Sequence, residues 1–366
     1  MIKVLHYLRH LDIAGTTKTC QLFFERANCE AILVHEATGD KTRLGEFMKA
    51  AEGRSDKHIV EIDSYRGDQK NKPSGEQLQK VINDFEADII HVYRSGFTEF
   101  PSPGVDVYIP HFVETNVFGF IDQNPLVERT LFMSKWLMDN TLRGRTHERF
   151  DYVNNPVEMP RTDDTLEGLS SDAIWLGRCG RPDNGIYNSV NVDAARLLRM
   201  QGYDVRFLVM APPSNMIKDL EAYEIPHCAF SPTTDPLFLS QFYNSVDIYA
   251  HARADGETFG VNIAEAMIHG KPVVTHIATP SVPGMGVFQS QTELVDDGTT
   301  GFIVYNNPAE YADALKKLID NKEQATAFGM AGKQKAIKEY LTDVCVEKLE
   351  NIYKEVTDNS AKNGIM

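Results

Sequence analysis

The chain of 366 residues predicts an α/β fold of two Rossmann-like, doubly wound parallel-sheet domains. Short apolar runs alternate with amphipathic stretches in both halves, the pattern of βαβ units. The length exceeds what one core usually serves, so two domains are expected. Between the halves, Asn154-Asn155-Pro156-Val157-Glu158-Met159-Pro160 combines two prolines with two asparagines, residues that favour turns over regular structure, and reads as a linker. The expected domains are 1–158 and 159–341, followed over 342–366 by a helix packing back on the first domain and a polar tail.

In the first half the strand candidates are Lys3 to Leu8, Ala31 to His35, His58 to Ile62, Asp88 to Tyr93, Val105 to Pro110 and Thr130 to Met133. Helices are predicted for Thr17 to Ala27, Arg43 to Glu52 and Ser74 to Phe85. The second half offers strands at Ala173 to Gly177, Asp204 to Met210, Cys228 to Phe230, Ile248 to His251, Pro272 to His276 and Gly301 to Val304. Helices alternate with them near Tyr187 to Gln201, Pro236 to Ser245 and Val261 to His269, and Ala309 to Asp320, Glu323 to Tyr340 and Thr342 to Val356 close the chain.

A hydrophobic share of 42% is that of a globular protein, which excludes disordered and collagen-like classes. The opening residues turn polar at Arg9 and His10, too early for a secretion signal, and no window holds 18 uninterrupted apolar residues, so a cytoplasmic protein is expected. Five scattered cysteines without a Cys-x-x-Cys pair suggest reduced thiols rather than a disulfide framework or zinc site. The net charge of -15 argues against nucleic-acid binding. Phosphates can still bind such a protein through local arginines and helix N-termini.

The most informative stretch runs from His251 to Val274: HARADGETFGVNIAEAMIHGKPVV. It reads as strand end, polar loop, helix, glycine stop and strand. That order puts Glu257 at the carboxyl edge of a parallel sheet, where ligands of open α/β folds collect. A helix starting near Phe259 offers first-turn N–H groups and the positive end of its dipole to a phosphate. Glu265 lies eight residues beyond Glu257, roughly 12 Å of axial rise if all of it is helical. That is too far to flank one glycosidic bond, for which about 5 to 9.5 Å is usual, and better suited to gripping two ends of an extended ligand. Taken alone, a glutamate pair at this spacing is more often coincidence than a site.

The surrounding Gly-Glu-Thr-Phe-Gly and Glu-Ala-Met-x-x-Gly-Lys-Pro-Val-Val resemble the donor-site signature of retaining glycosyltransferases of the GT-B fold, family 4. The resemblance is strong over 245–304 and weaker elsewhere, where Asp296-Asp297-Gly298-Thr299-Thr300-Gly301-Phe302 and Asp88-Ile89-Ile90-His91 are similar to family segments. It implies two such domains facing a central cleft, and transfer of a sugar from a nucleotide diphosphate of the UDP or GDP kind to a hydroxyl of a glycan, glycoconjugate or small acceptor. By the family's pattern Glu257 contacts hydroxyls of the transferred sugar and Glu265 the ribose, while amides around Thr258, Phe259, Gly260 and Val261 hold the distal phosphate. Carboxylates accept readily from vicinal hydroxyls, which agrees with the assignment.

Trp175-Leu176-Gly177-Arg178-Cys179-Gly180-Arg181-Pro182 follows the first strand of the second domain. Its two guanidinium groups are expected to neutralise the leaving diphosphate. Where the family usually has a lysine five residues beyond Arg178, this chain has Asp183, and Arg181 is the expected substitute. In the first domain Gly15 with Thr16 and Thr17 matches the family's glycine loop; a P-loop reading fails because Thr17 replaces the required second glycine and Ala14 offers none upstream. His111, read as a strand end, is assigned by resemblance to the reacting carbon, against the blander reading of a hydrogen-bonded core histidine. Glu293 resembles the acidic residue opening the helix after the donor loop, where Gly284 and Gly286 stand in for the usual paired glycines.

Lys41 to Lys49 is basic and partly amphipathic. It is read as a surface helix with Leu44, Phe47 and Met48 turned to the core; peripheral contact with a membrane is the less favoured alternative. With no Asp-x-Asp motif in a donor-loop context, no metal or other cofactor is expected. A nucleotide-sugar epimerase of the same fold and a non-catalytic nucleotide-sugar-binding protein are the rival readings.

Overall fold

The computed structural model describes residues 1–64, 73–97, 99–280 and 286–363. The chain divides into two compact units, Met1–Pro156 together with the C-terminal stretch from Thr342, and Val157–Leu341.

In the first unit the strands are β1 (Lys3–Leu8), β2 (Glu30–Glu36), β3 (Lys57–Ile62), β4 (Ile89–Arg94), β5 (His111–Asn116), β6 (Arg129–Phe132) and β7 (Phe150–Tyr152). They lie in the order β3-β2-β1-β4-β5-β6-β7, with every pairing parallel. Helices α1 (Gly15–Arg26), α2 (Leu44–Ala51), α3 (Pro73–Phe85) and α4 (Lys135–Leu142) make the crossovers from β1 to β2, β2 to β3, β3 to β4 and β6 to β7. Leu44 and Phe47 of α2 face the core as expected, but Met48 is 59% exposed.

One predicted strand is displaced. Val105 to Pro110 alternates like a strand, yet Gly104 turns the chain at φ +73° and Val105 and Tyr108 are exposed. The sheet instead takes the six residues after Pro110, all of them buried although they include Glu114 and Asn116. Burying a carboxylate requires a partner, and Arg94 supplies it. Its Nε donates to Glu114 Oε2 at 2.7 Å and its Nη2 to Asp122 Oδ2 at 2.6 Å, with all three side chains almost wholly enclosed.

The second unit repeats the plan with β8 (Ile174–Cys179), β9 (Val205–Met210), β10 (His227–Phe230), β11 (Ile248–Ala250), β12 (Val273–His276) and β13 (Gly301–Val304), in the order β10-β9-β8-β11-β12-β13, all parallel. Its helices are α5 (Val190–Met200), α6 (Ser214–Ala222), α7 (Pro236–Asn244), α8 (Val261–Ile268), α9 (Gln291–Leu294), α10 (Pro308–Asp320) and α11 (Lys322–Glu339). The origin of α10 is legible residue by residue. Asn307 accepts the N–H groups of Ala309 and Glu310, and Pro308 takes the position where no N–H is needed. Tyr311, Ala312, Leu315 and Leu318 then form one buried stripe, each leucine contributing about 1.5–3 kcal/mol by leaving water.

The last helix, α12 (Thr342–Asn363), belongs to the first unit. Cys345, Val346, Leu349, Ile352, Tyr353 and Val356 recur at helical spacing and enter the same core as Phe23, Phe24 and Leu33. No helix among the described residues is long and apolar enough to cross a membrane.

Candidate active site

In the second unit the chain winds outward from β8 to β9 and β10, then returns to the other side of β8 as β11. The carboxyl ends of β8 and β11 are therefore the topological switch point, where loops diverge and leave a crevice for a ligand. Arg178 stands near the end of β8 and is 5% exposed. Its Nη1 donates to the Ala211 carbonyl at 3.3 Å, and a Cβ at Gly180 would lie 3.1 Å from its Nη2, so the glycine leaves room for the guanidinium. Burial pulls the pKa of Arg178 down, while Tyr249, Cys179 and Glu257 favour its charged form and Arg253 opposes it.

Glu257 occupies the loop after β11 and is 8% exposed. Its Oε1 lies 3.2 Å from His251 Nε2 and its Oε2 accepts from Arg253 Nη1 at 3.3 Å. Burial opposes its ionisation, but Arg253, His251 and Arg181 outweigh that penalty and hold the carboxyl below its ordinary pKa. The loop backbone is tied as well: Glu257 N–H donates to Gln291 Oε1 at 3.0 Å, and the Glu257 carbonyl accepts from Ser290 N–H at 3.0 Å. Gly256, at φ +71°, brings its backbone so close to the Phe288 carbonyl that a Cβ would overlap it at 1.8 Å.

Gly260 caps α8 at φ +106°, a conformation that costs a side chain strain. The N–H groups of Ile263 and Ala264 turn back to its carbonyl at 3.0 and 3.1 Å. Those of Val261 and Asn262 are left at the helix tip, where a phosphate oxygen could take them. Asn262 ties this tip to the neighbouring strand, donating from Nδ2 to the Cys179 carbonyl at 2.8 Å. One turn further on, Glu265 is half-buried and its Oε2 accepts from the Tyr243 hydroxyl at 2.8 Å.

Arg178, Glu257, Gly260, Val261 and Glu265 thus gather on the two sides of one switch point. Thr258 contributes its carbonyl to Ser290 Oγ. Phe259 is a core residue set edge-on to Tyr340, so only its backbone can serve a ligand. Arg181 is exposed and acts on Glu257 at longer range. Asp183 has a local task, accepting Gly185 N–H to cap the 3₁₀ turn Asn184–Ile186. Glu293 lies in the short helix α9, and its carbonyl accepts from Lys335 Nζ. Gly284 lies outside the described residues, and Gly286 has open space around it.

In the first unit Gly15 begins α1 at the carboxyl edge of β1, with Thr16 half-buried beside it and Thr17 Oγ1 donating to Asp12 Oδ1 at 2.9 Å. His111 requires correction. It opens β5 instead of ending a strand, and its Nδ1 lies 3.0 Å from Glu128 Oε2. Six residues of strand carry Asn116, about 16 Å farther along, to the ligand-bearing edge; His111 stands at the other edge and fits the core-histidine reading. A hollow of about 400 Å³ in this unit, lined by Met138, Leu142, Arg145, His147 and Phe150, contains none of the residues discussed.

Sequence reading missed His251, Arg253, Asn262 and Tyr243 as site residues. Arg253 stands four residues before Glu257, a spacing that permits a pair only if the loop curls as it does here. His251 is positioned by Thr275 Oγ1, 2.8 Å from its Nδ1, a contact between strands that no local pattern reveals.

Residues 189–335 match the family described as glycosyl transferases group 1. Among curated proteins the chain is similar to a phosphatidyl-myo-inositol mannosyltransferase of Mycobacterium leprae, 26% identical over 196 residues that make up 53% of this chain and 49% of that protein. It is also similar to a D-inositol 3-phosphate glycosyltransferase of Corynebacterium diphtheriae, 29% identical over 169 residues, 44% of this chain and 37% of the relative. The matches therefore span about half or less of these relatives' length. Among solved structures, a glycosyltransferase from Rickettsia africae superposes with a TM-score of 0.71 at 15% identity, covering 98% of this chain and 99% of that one. The Anabaena protein Alr3699/HepE in complex with UDP and glucose gives 0.72 at 13% identity, covering 97% and 100%. At such identities the likeness shows the fold.

Proposed function

With residues 189–335 matching the family described as glycosyl transferases group 1, we propose that the chain is a retaining hexosyltransferase, transferring a sugar from a nucleotide diphosphate to an acceptor hydroxyl. The carrying observation is the convergence at one switch point of a buried arginine, a charged buried glutamate and the tip of α8, whose N-cap glycine has no side chain to occupy the first-turn N–H groups. The N-terminal unit is the proposed acceptor-binding unit, with a glycan, a glycoconjugate or a small hydroxyl compound as acceptor.

The diphosphate would lie against the tip of α8 and Arg178, where charge grows as the bond from sugar to phosphate breaks. Glu257 would accept hydrogen bonds from vicinal hydroxyls of the transferred sugar, and Glu265 from the ribose. Arg178 and the helix tip supply positive charge without a cation, so we propose metal-independent transfer: activity should survive thorough chelation of divalent ions. The leaving phosphate is the proposed acceptor of the hydroxyl proton on the same face of the sugar.

Arg178→Ala should lower kcat/KM by about thirtyfold, equivalent to roughly 2 kcal/mol of transition-state stabilisation. A rate within twofold of wild type removes Arg178 from the site. Release of nucleoside diphosphate only when an acceptor is supplied distinguishes transfer from epimerisation or simple binding.

A further inference from the structure

Glu257 is held at both oxygens. His251 Nε2 lies 3.2 Å from Oε1, and Arg253 Nη1 donates to Oε2 at 3.3 Å. Each holder is itself held. Thr275 Oγ1 is 2.8 Å from His251 Nδ1, while Asp255 grips Arg253 with two contacts, Nε to Oδ1 at 2.6 Å and Nη2 to Oδ2 at 3.1 Å. The Arg253 backbone N–H donates to His276 Nε2 at 3.3 Å. The side chains of Arg253, Glu257 and His251 are 18%, 11% and 3% exposed, so water screens them little.

We propose that Arg253 is a positioning residue: with His251 it fixes the direction of the Glu257 carboxylate, so that its remaining lone pairs face the hydroxyls of the transferred sugar. This rests on the function proposed above, in which Glu257 meets the sugar. A carboxylate has about four acceptor positions; the two protein contacts use one on each oxygen and leave a matched pair for vicinal hydroxyls. Arg253 has most of its donors committed to Asp255 and Glu257, an arrangement that suits orienting a neighbour better than gripping a phosphate. Arg178 from β8 and Arg181 from the following loop also act on Glu257, whereas Asp183 and Asp255 act on Arg253. Arg253 is the closest guanidinium contact of Glu257 among the described residues, which gives it the decisive part in keeping that group ionised.

The test uses the full chain with ¹³C-labelled glutamate carboxyls, the Glu257 signal being assigned by its loss in Glu257→Gln. Arg253→Met should move the Glu257 titration upward by about one pH unit or more. It should lower kcat/KM for a nucleotide sugar by about thirtyfold or more, with the acid limb displaced to higher pH, while affinity for nucleoside diphosphate alone stays within about threefold. Arg253→Lys keeps the charge but not the planar fork; it should restore most of the titration and leave the rate low, and it carries the test should the methionine variant fail to fold. An unmoved titration overturns the proposal, as does nucleoside diphosphate affinity falling in step with the rate, which would make Arg253 a phosphate ligand. A wild-type protein that binds no nucleotide sugar instead defeats the function on which the proposal rests, and the substrate-free titration tells the two failures apart.

Discussion

Ionised groups taken out of water define the site at the scale of single residues. Glu257 remains charged because cationic groups surround it, and His276, at the end of β12, shows the opposite outcome. Burial pushes the His276 ring down to about 4, with the Ile277 carbonyl working against the shift and His251 adding to it. The ring is neutral, its Nδ1 donating to the Ile277 carbonyl at 3.0 Å while Nε2 accepts from Arg253 N–H. A histidine whose folded pKa is depressed contributes stability above its unfolded value of about 6.5, and that stability is lost as pH falls toward about 4. The loss is on the order of 3 kcal/mol. Urea unfolding between pH 7 and 4 should therefore show a declining midpoint whose slope is reduced in His276→Gln; an unchanged slope would contradict the assignment. Little of this was legible beforehand. Glu257 and Glu265 stood out because a recognisable motif surrounds them. The residues that set the charge of Glu257 come from the end of β11, from the loop after β8, and from a loop whose curl depends on Gly256 meeting the Phe288 carbonyl.

Among elements, sequence patterning succeeded wherever apolar residues alone decide the outcome. Strands β1, β9 and β13 and helices α8 and α10 fall within a residue or two of their predicted bounds. It failed at β5, where the decisive interaction is electrostatic and non-local: HFVETN looks too polar to be buried until Arg94, twenty residues before Glu114, is brought beside it. Arg94→Met would leave Glu114 and Asp122 buried without their cation, and should destabilise the first unit by about 3–5 kcal/mol in urea unfolding. A loss below about 1 kcal/mol would mean that the cluster is solvated. Helix α4 was overlooked although Ser134 caps it, accepting Leu137 N–H at 3.0 Å. In α12, Leu349 is fully buried in the first unit's core; Leu349→Ala should cost about 2–5 kcal/mol of that unit's stability, and a cost under about 0.5 kcal/mol would show that the helix is not held there.

Across the whole molecule, the duplicated strand order is what converts a motif into a site. In each unit the order reverses beside the first strand, at β1/β4 and at β8/β11, and the residues at the second of these points carry both the cationic and the acidic groups that a sugar diphosphate needs. The fold class was legible because alternating strands and helices admit few arrangements. The placement of His111 was not, since it depended on which side of Pro110 the strand falls. The most direct measurement is a thermal-shift titration of the full chain with nucleoside diphosphates and their sugars, beside Glu257→Gln and Arg178→Ala. At a hundred times its dissociation constant the matching ligand should add about 2.7 kcal/mol to the wild type, with the shift reduced in both variants. Absence of any shift with every nucleotide at millimolar concentration, or equal shifts in all three proteins, would contradict a sugar-diphosphate cradle at this switch point.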